Sequence, residues 1–376
     1  MARFLWLNWS GGGNLPPSLG IARALSERGH MVSFAGRPEM VPRVQAAGFR
    51  AIEIQSAYEQ VERYPAGSPL TRAACYLTSP AVAAEVRHRV ADENPDLVLI
   101  DGMFPAALSE ADDFRCRSAV ICHTFLFRQL DRWGDMLSRL NGMREKAGFE
   151  RLPSFEALWQ SRERIIVTTL AAFDAAAPAG WEAVLHVGPS LEDEKLAQPM
   201  QVPSDGGERS TVLVSFSTGF EQRSVAKLQN TLDALAPLPA RVVTTTGGIV
   251  KPEELSAPAN ATVIEYAAHD PILRAAALTI THGGHGTAMR SLRHGVPMIL
   301  MPGLAHDQEL VARTVEEWGA GLALPGDAPA SAIREAASRI LGDPSFRSAA
   351  RSRAAQLNGV DGAANAADEI EAMLHR

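Results

Sequence analysis

Between Leu278 and Gln308 the chain carries a run of residue types with a definite chemical use. His282-Gly283-Gly284-His285-Gly286-Thr287 follows a short apolar, β-branched segment, Leu278–Thr281, and precedes a segment of helical composition that ends at His294 and Gly295. Glycines at a strand-to-helix turn let a ligand approach the backbone, and a helix start presents N–H groups and a positive dipole end. That combination suits a pyrophosphate. His282 adds an imidazole able to donate to a phosphate oxygen. Thr287 is expected to cap the helix and His285 to face solvent.

The surrounding elements must hold this turn in place. Leu278–Thr281 reads as a buried strand and Val296–Met301 as the next one. Earlier, Phe4–Asn8 reads as a strand, Ser10–Pro17 as a glycine- and proline-rich loop, and Leu15, Leu19, Ala22 and Leu25 recur at helical spacing up to Gly29. Met31–Ala35 is a second strand, a helix follows from about Pro38 to Gly48, and Phe49–Ile54 is a third strand. Alternation of this kind predicts a parallel sheet with crossover helices. Asp96–Asp101 and Ala119–Cys122 read as further strands, ending at Asp101 and His123. From about 124 to 163 the pattern turns helical and aromatic, with Phe125, Phe127, Trp133, Met136, Leu137, Leu140, Phe149, Phe155 and Trp159. Such a stripe packs as core, or else forms an apolar wall for a ligand. Residues 186–205, rich in proline and charge, mark a linker. Beyond it Thr211–Phe216, a helix from about Glu221 to Leu235, Arg241–Thr245 and Thr262–Glu265 restart the same pattern.

The block from His282 to Gln308 resembles the nucleotide-sugar-binding block of GT-B glycosyltransferases, specifically those that glycosylate small lipophilic natural products. The resemblance rests on His282–Thr287, on Gly295–Pro297 and on the pair Asp307-Gln308. It implies an α/β GT-B fold, with two Rossmann-like domains whose parallel sheets face across a cleft. The implied boundaries are an acceptor-binding domain at 1–190, a linker at 191–208, a nucleotide-sugar domain at 209–358, and a helix at 359–376 crossing back to the first domain. It also implies donor-binding roles for His282, Gly284, Gly286 and Thr287 at the diphosphate. Ser217 and Thr218 resemble a second phosphate turn with serine in place of a glycine. Tyr266 stands where an aromatic residue stacks the base, and Asp307 and Gln308 stand where a carboxylate and an amide hold sugar hydroxyls. Plant members carry a glutamate for the ribose hydroxyls where this chain has Arg290, which favours a dTDP-sugar over a UDP-sugar.

One departure concerns catalysis. The family's first loop places a histidine base where this chain has Asn14, and an amide cannot take a proton near neutrality. Asp101 resembles the partner carboxylate. Three readings stay open: Asp101 is the base, directly or through water; the acceptor needs little activation; or the protein is a non-catalytic auxiliary. His123 is an alternative base. A sugar-nucleotide epimerase of the same architecture is a further reading, against which the glycine turn speaks. The reading adopted is an inverting, metal-independent glycosyltransferase with no resident cofactor, using a nucleotide sugar and a small hydrophobic acceptor, as a monomer or homodimer.

Composition bounds the alternatives. With 376 residues, 46% hydrophobic, the chain can form two cores. Its formal net charge of −7 and lack of a basic stripe argue against nucleic acid. Cys75, Cys116 and Cys122 offer no metal spacing and suit a reduced compartment. No long apolar run marks a signal peptide or membrane span, so a soluble cytoplasmic protein is expected.

Overall fold

The computed structural model describes residues 1–9, 12–56, 79–130, 150–151, 153–160, 162–191, 210–216, 223–303 and 306–375, with isolated positions between 131 and 149. The chain divides into two compact units, Met1–Glu192 with Asp361–Arg376, and Asp193–Val360.

In the first unit the strands are β1 (Arg3–Asn8), β2 (Met31–Gly36), β3 (Arg50–Glu53), β4 (Leu97–Asp101), β5 (Arg117–Cys122), β6 (Arg164–Val167) and β7 (Val184–His186). The helices are α1 (Leu15–Glu27), α2 (Val41–Ala46), α3 (Pro80–Glu93), α4 (Pro105–Leu108) and α5 (Phe155–Gln160). The sheet order is β3-β2-β1-β4-β5-β6-β7, and every pairing is parallel. Strands buried on both faces explain the unbroken apolar runs of β1, β4 and β5. One face packs Leu5, Val98, Ile100 and Val120 against α3, α4 and α5. The other packs Phe4, Trp6, Leu97 and Leu99 against α1 and the C-terminal helix Gly362–Leu374, which contributes Ala366, Ala367, Ile370 and Met373. Burying Ile370 fully is worth roughly 1.5–3 kcal/mol. Arg28, on the turn after α1, adds ion pairs to Asp368 and Glu371, both at 2.6 Å.

The second unit contains β8 (Ser210–Ser215), β9 (Ala240–Thr245), β10 (Ala261–Ile264), β11 (Ala276–Thr281), β12 (Met298–Leu300) and β13 (Gly321–Ala323). Its helices are α6 (Val225–Leu235), α7 (His269–Ala275), α8 (His285–Arg293), α9 (His306–Glu317), α10 (Ala330–Gly342) and α11 (Pro344–Leu357). The order β10-β9-β8-β11-β12-β13 is again all parallel.

Both sheets reverse their direction of growth once, between β1 and β4 in the first and between β8 and β11 in the second. In open parallel sheets, ligands bind outside the carboxyl ends of the strands at such a switch point. These are the places to look for chemistry.

Several expectations need correction. The helix from Pro38 begins as a 3-10 turn, Pro38–Met40, before the single short helix α2. Between 124 and 163 the described residues form a 3-10 turn, Phe127–Gln129, helical positions at 134, 137–138, 141–142 and 145, and α5, in keeping with the helical pattern read there, while β6 and β7 extend the sheet beyond the strands read from sequence. Phe125, Phe127, Leu137 and Trp159 are buried, as the core reading of the aromatic stripe expects, and do not form an open wall for a ligand. Trp133, Met136, Leu140 and Phe149 lie outside the described residues, as do positions 192–209, which hold most of the linker.

Candidate functional site

At the first switch point, β1 ends at Asn8, β4 at Asp101 and β5 just before His123. The loop after β1 returns as α1, whose N-cap residue is Asn14. A capping side chain normally accepts from the second or third N–H of its helix. Here those positions are Pro16 and Pro17, which have no N–H, and the Asn14 side chain makes no capping bond. It turns instead toward β4, where Asn14 Nδ2 donates to Asp101 Oδ2 at 2.5 Å. Asp101 Oδ1 accepts from the Met103 N–H at 2.9 Å, so the carboxylate also closes the turn after its strand.

Asp101 is buried, and burial pushes its carboxyl up from 3.8 to about 7, although the bonds from Met103 and Asn14 favour the ionised form. A carboxyl of this kind is about half ionised at neutral pH and can take up a proton there. His123 Nε2 lies 3.6 Å from Asp101 Oδ2 and 3.2 Å from Ser18 Oγ. Ser18 spends its single proton on the Asn14 carbonyl at 2.8 Å and accepts from Asn8 Nδ2 at 3.0 Å. His123 Nε2 must therefore donate to Ser18, so the nitrogen nearer Asp101 carries a hydrogen. That makes His123 Nε2 a donor beside Asp101. Asn8 and Ser18, which complete this network, were missed from the sequence; a serine at the fourth residue of a helix gives no signal until a histidine is folded onto it.

At the second switch point, β8 ends at Ser215 and β11 at Thr281. Gly283 takes φ +86°, and a Cβ there would meet the Gln308 carbonyl at 2.7 Å, so only glycine fits this turn. Gly284 is the N-cap of α8, which starts at His285, two residues before the expected cap at Thr287; Thr287 lies in the first turn. Gly284 takes the N-cap position in extended conformation without a side-chain capping bond, so no side chain occupies the first N–H groups of α8 as a hydroxyl cap would. His285 is buried, contrary to the expected solvent-facing position, because the helix begins with it. Gly286 is exposed and Thr287 half-buried, so the first turn of α8 remains accessible.

His282 bonds the Ser215 backbone, and its Nδ1 lies 3.5 Å from Thr281 Oγ1. Desolvation, aided by the charge of Lys227, lowers it from 6.5 to about 4. It is neutral at physiological pH. Tyr266 is 48% exposed, with its hydroxyl end over Gly248, where a Cβ would collide with it. An exposed ring backed by glycine is available for stacking. Gln308 is buried and its Oε1 accepts from the Gly303 N–H at 2.8 Å, while Asp307 is half-buried. Arg290, buried on α8, pairs with Asp270 at 3.5 Å, and Asp270 also accepts from His294 at 2.9 Å. Ser217 and Thr218 lie outside the described residues. Among the described residues no cluster of three or more metal-ligating side chains occurs, and no helix is long and apolar enough to cross a membrane.

Residues 229–373 match the family of Erythromycin biosynthesis protein CIII-like, C-terminal domain. The chain is 27% identical to the NDP-glycosyltransferase YjiC of Bacillus subtilis, over 97% of this chain and 95% of that protein. It is 24% identical to the demethyllactenocin mycarosyltransferase of Streptomyces fradiae, over 100% of this chain and 87% of that protein. Among solved structures, the calicheamicin glycosyltransferase CalG4 superposes with a TM-score of 0.78 at 25% identity, covering 100% of this chain and 99% of that one. The glycosyltransferase VinC, solved in complex with dTDP, superposes with a TM-score of 0.70 at 19% identity, covering 100% of each chain.

Two parallel α/β units with polar groups gathered at their switch points are the GT-B architecture. The chain is a glycosyltransferase of the natural-product type, similar to enzymes of bacterial secondary-metabolite pathways.

Proposed function

We propose that the protein transfers a sugar, with inversion, from a dTDP-sugar to a hydroxyl of a small apolar acceptor, with Asp101 as the general base. The observation that carries this reading is the carboxyl of Asp101, buried at the end of β4 and raised to about 7, with Asn14 bonded to it in place of a histidine base. As the acceptor oxygen attacks the anomeric carbon, its proton passes to Asp101 Oδ2, and the bond to the diphosphate oxygen breaks. Asn14 and His123 hold the carboxylate by donating to it or lying beside it.

On the donor side, the first turn of α8 with Gly284, Gly286 and Thr287, together with neutral His282, takes the diphosphate. Backbone N–H groups and the helix dipole stabilise the leaving group, so no metal is required. Ser217 and Thr218 are assigned to the same phosphates by resemblance alone. Tyr266 stacks the base, and Asp307 and Gln308 face the sugar. The preference for dTDP over UDP is supported by Arg290, whose guanidinium is engaged by Asp270 where a ribose carboxylate would otherwise stand. VinC, of the same fold, binds dTDP.

The test is turnover of a dTDP-sugar with a panel of apolar aglycones, followed by dTDP release and by the anomeric configuration of the product. Release that depends on acceptor, yields the inverted anomer and falls in His282→Ala supports the reading. Tight dTDP binding with no release by any acceptor would favour a non-catalytic auxiliary role.

A further inference from the structure

Lys227 sits in the first turn of α6, the helix that follows β8. Its ammonium donates to the Met301 carbonyl at 3.1 Å and stands 5.4 Å from the centroid of the Phe216 ring. Phe216 follows β8 and Met301 follows β12, two strands that flank β11. The Met301 N–H in turn donates to the Thr281 carbonyl at the end of β11 at 2.8 Å. The ammonium thus lies along the carboxyl edge of β8, β11 and β12, beside the strand end that carries His282.

Charge balance gives this position a use. A nucleoside diphosphate brings at least two negative charges, yet the glycine turn is neutral and His282 is neutral as well. The charge of Lys227 is felt at His282 strongly enough to help hold it so. Among the described residues no carboxylate makes an ion pair with Lys227; Asp327 acts on it only at longer range. Burial lowers the lysine's own pKa, so a cation is being kept in a partly desolvated place with no direct counter-ion among those residues. An ammonium has three donors, and one of them goes to Met301.

We infer that Lys227 is the counter-cation of the donor's diphosphate, lying against its β-phosphate and neutralising the charge that builds there as the glycosidic bond breaks. Neither His282 nor the backbone donors of α8 supply a formal charge, so the leaving group relies on this lysine for it. The inference rests on the donor-site reading of the second unit.

The experiment compares binding of thymidine, dTMP, dTDP and inorganic pyrophosphate to the wild type, Lys227→Met and Lys227→Arg by calorimetry. A charge-assisted bond to phosphate predicts that Lys227→Met weakens dTDP by roughly ten- to a hundredfold, dTMP less and thymidine hardly at all. Lys227→Arg should recover most of the loss. If the wild type binds no dTDP, the donor-site reading itself falls. If the wild type binds dTDP and Lys227→Met binds it equally well, or loses thymidine and dTDP in equal proportion, the inference is overturned. Should the variants not fold, reductive methylation of the wild type tests the same contact: pyrophosphate should protect Lys227 from labelling, and unchanged labelling refutes the assignment.

Discussion

Replacing Asp101 with Asn separates catalysis from folding, because the structure predicts opposite effects on the two. Asn has nearly the same shape but cannot accept a proton. Loss of a general base costs roughly 10²–10⁴-fold in turnover. The wild-type rate should rise with pH through about 7, as the carboxyl ionises, and Asp101→Asn should lose that limb. Stability moves the other way. The folded carboxyl titrates at about 7 against 3.8 for the ordinary group, so between those values the folded state holds a proton that the unfolded state has released. Folded wild-type protein therefore loses stability as pH rises from about 4 to about 7, by up to roughly 4 kcal/mol if the whole shift is realised. Asp101→Asn removes this dependence. It also leaves one of the donors from Asn14 and Met103 facing an amide NH2, at a cost of about 1–3 kcal/mol. The variant should thus be less stable than wild type near pH 4 and equal or more stable near pH 8. Melting curves over that range, paired with initial rates of dTDP release, read both effects. A variant that keeps near-full turnover on a hydroxyl acceptor, with a melting profile parallel to the wild type's, would refute the reasoning.

Gly283→Ala should be strongly destabilising to the donor turn, since the Cβ would meet the Gln308 carbonyl and the backbone is left-handed; roughly 1–3 kcal/mol of stability and a clear loss of dTDP affinity are expected by melting and calorimetry. Asp307→Asn should weaken binding of the intact dTDP-sugar far more than of dTDP. Gln308→Ala should additionally lower the melting temperature, because its Oε1 holds the Gly303 N–H. Equal losses of dTDP and dTDP-sugar in Asp307→Asn would point to a structural role in the loop.

Local chemistry made much of this protein legible in its sequence. Apolar β-branched runs alternating with helical spacing announced the parallel sheets, since a strand buried on both faces has no polar period to hide. The glycine turn at His282–Thr287 was readable because the backbone there can be made by few residue types; Gly283 at φ +86° is the clearest instance. The position of Asp101 at a strand end was readable from the apolar run Leu97–Ile100 that it closes.

What the sequence could not hold was the meeting of residues far apart in the chain. That Asn14 lies near Asp101 was implied by the resemblance alone; that its amide bonds the carboxylate rests on β1 and β4 being neighbours, and on two prolines that leave the Asn14 side chain no N–H to cap. That Asp101 titrates near neutrality depends on how completely the fold excludes water from it, which no residue type encodes. Ser18 against His123, the burial of Phe125 and Trp159, and the placing of Lys227 beside His282 follow from strand order and helix packing. Backbone preference is a property of a few adjacent residues and survives in the sequence. Desolvation and through-space charge are properties of the packed assembly, and only the tertiary structure decides them.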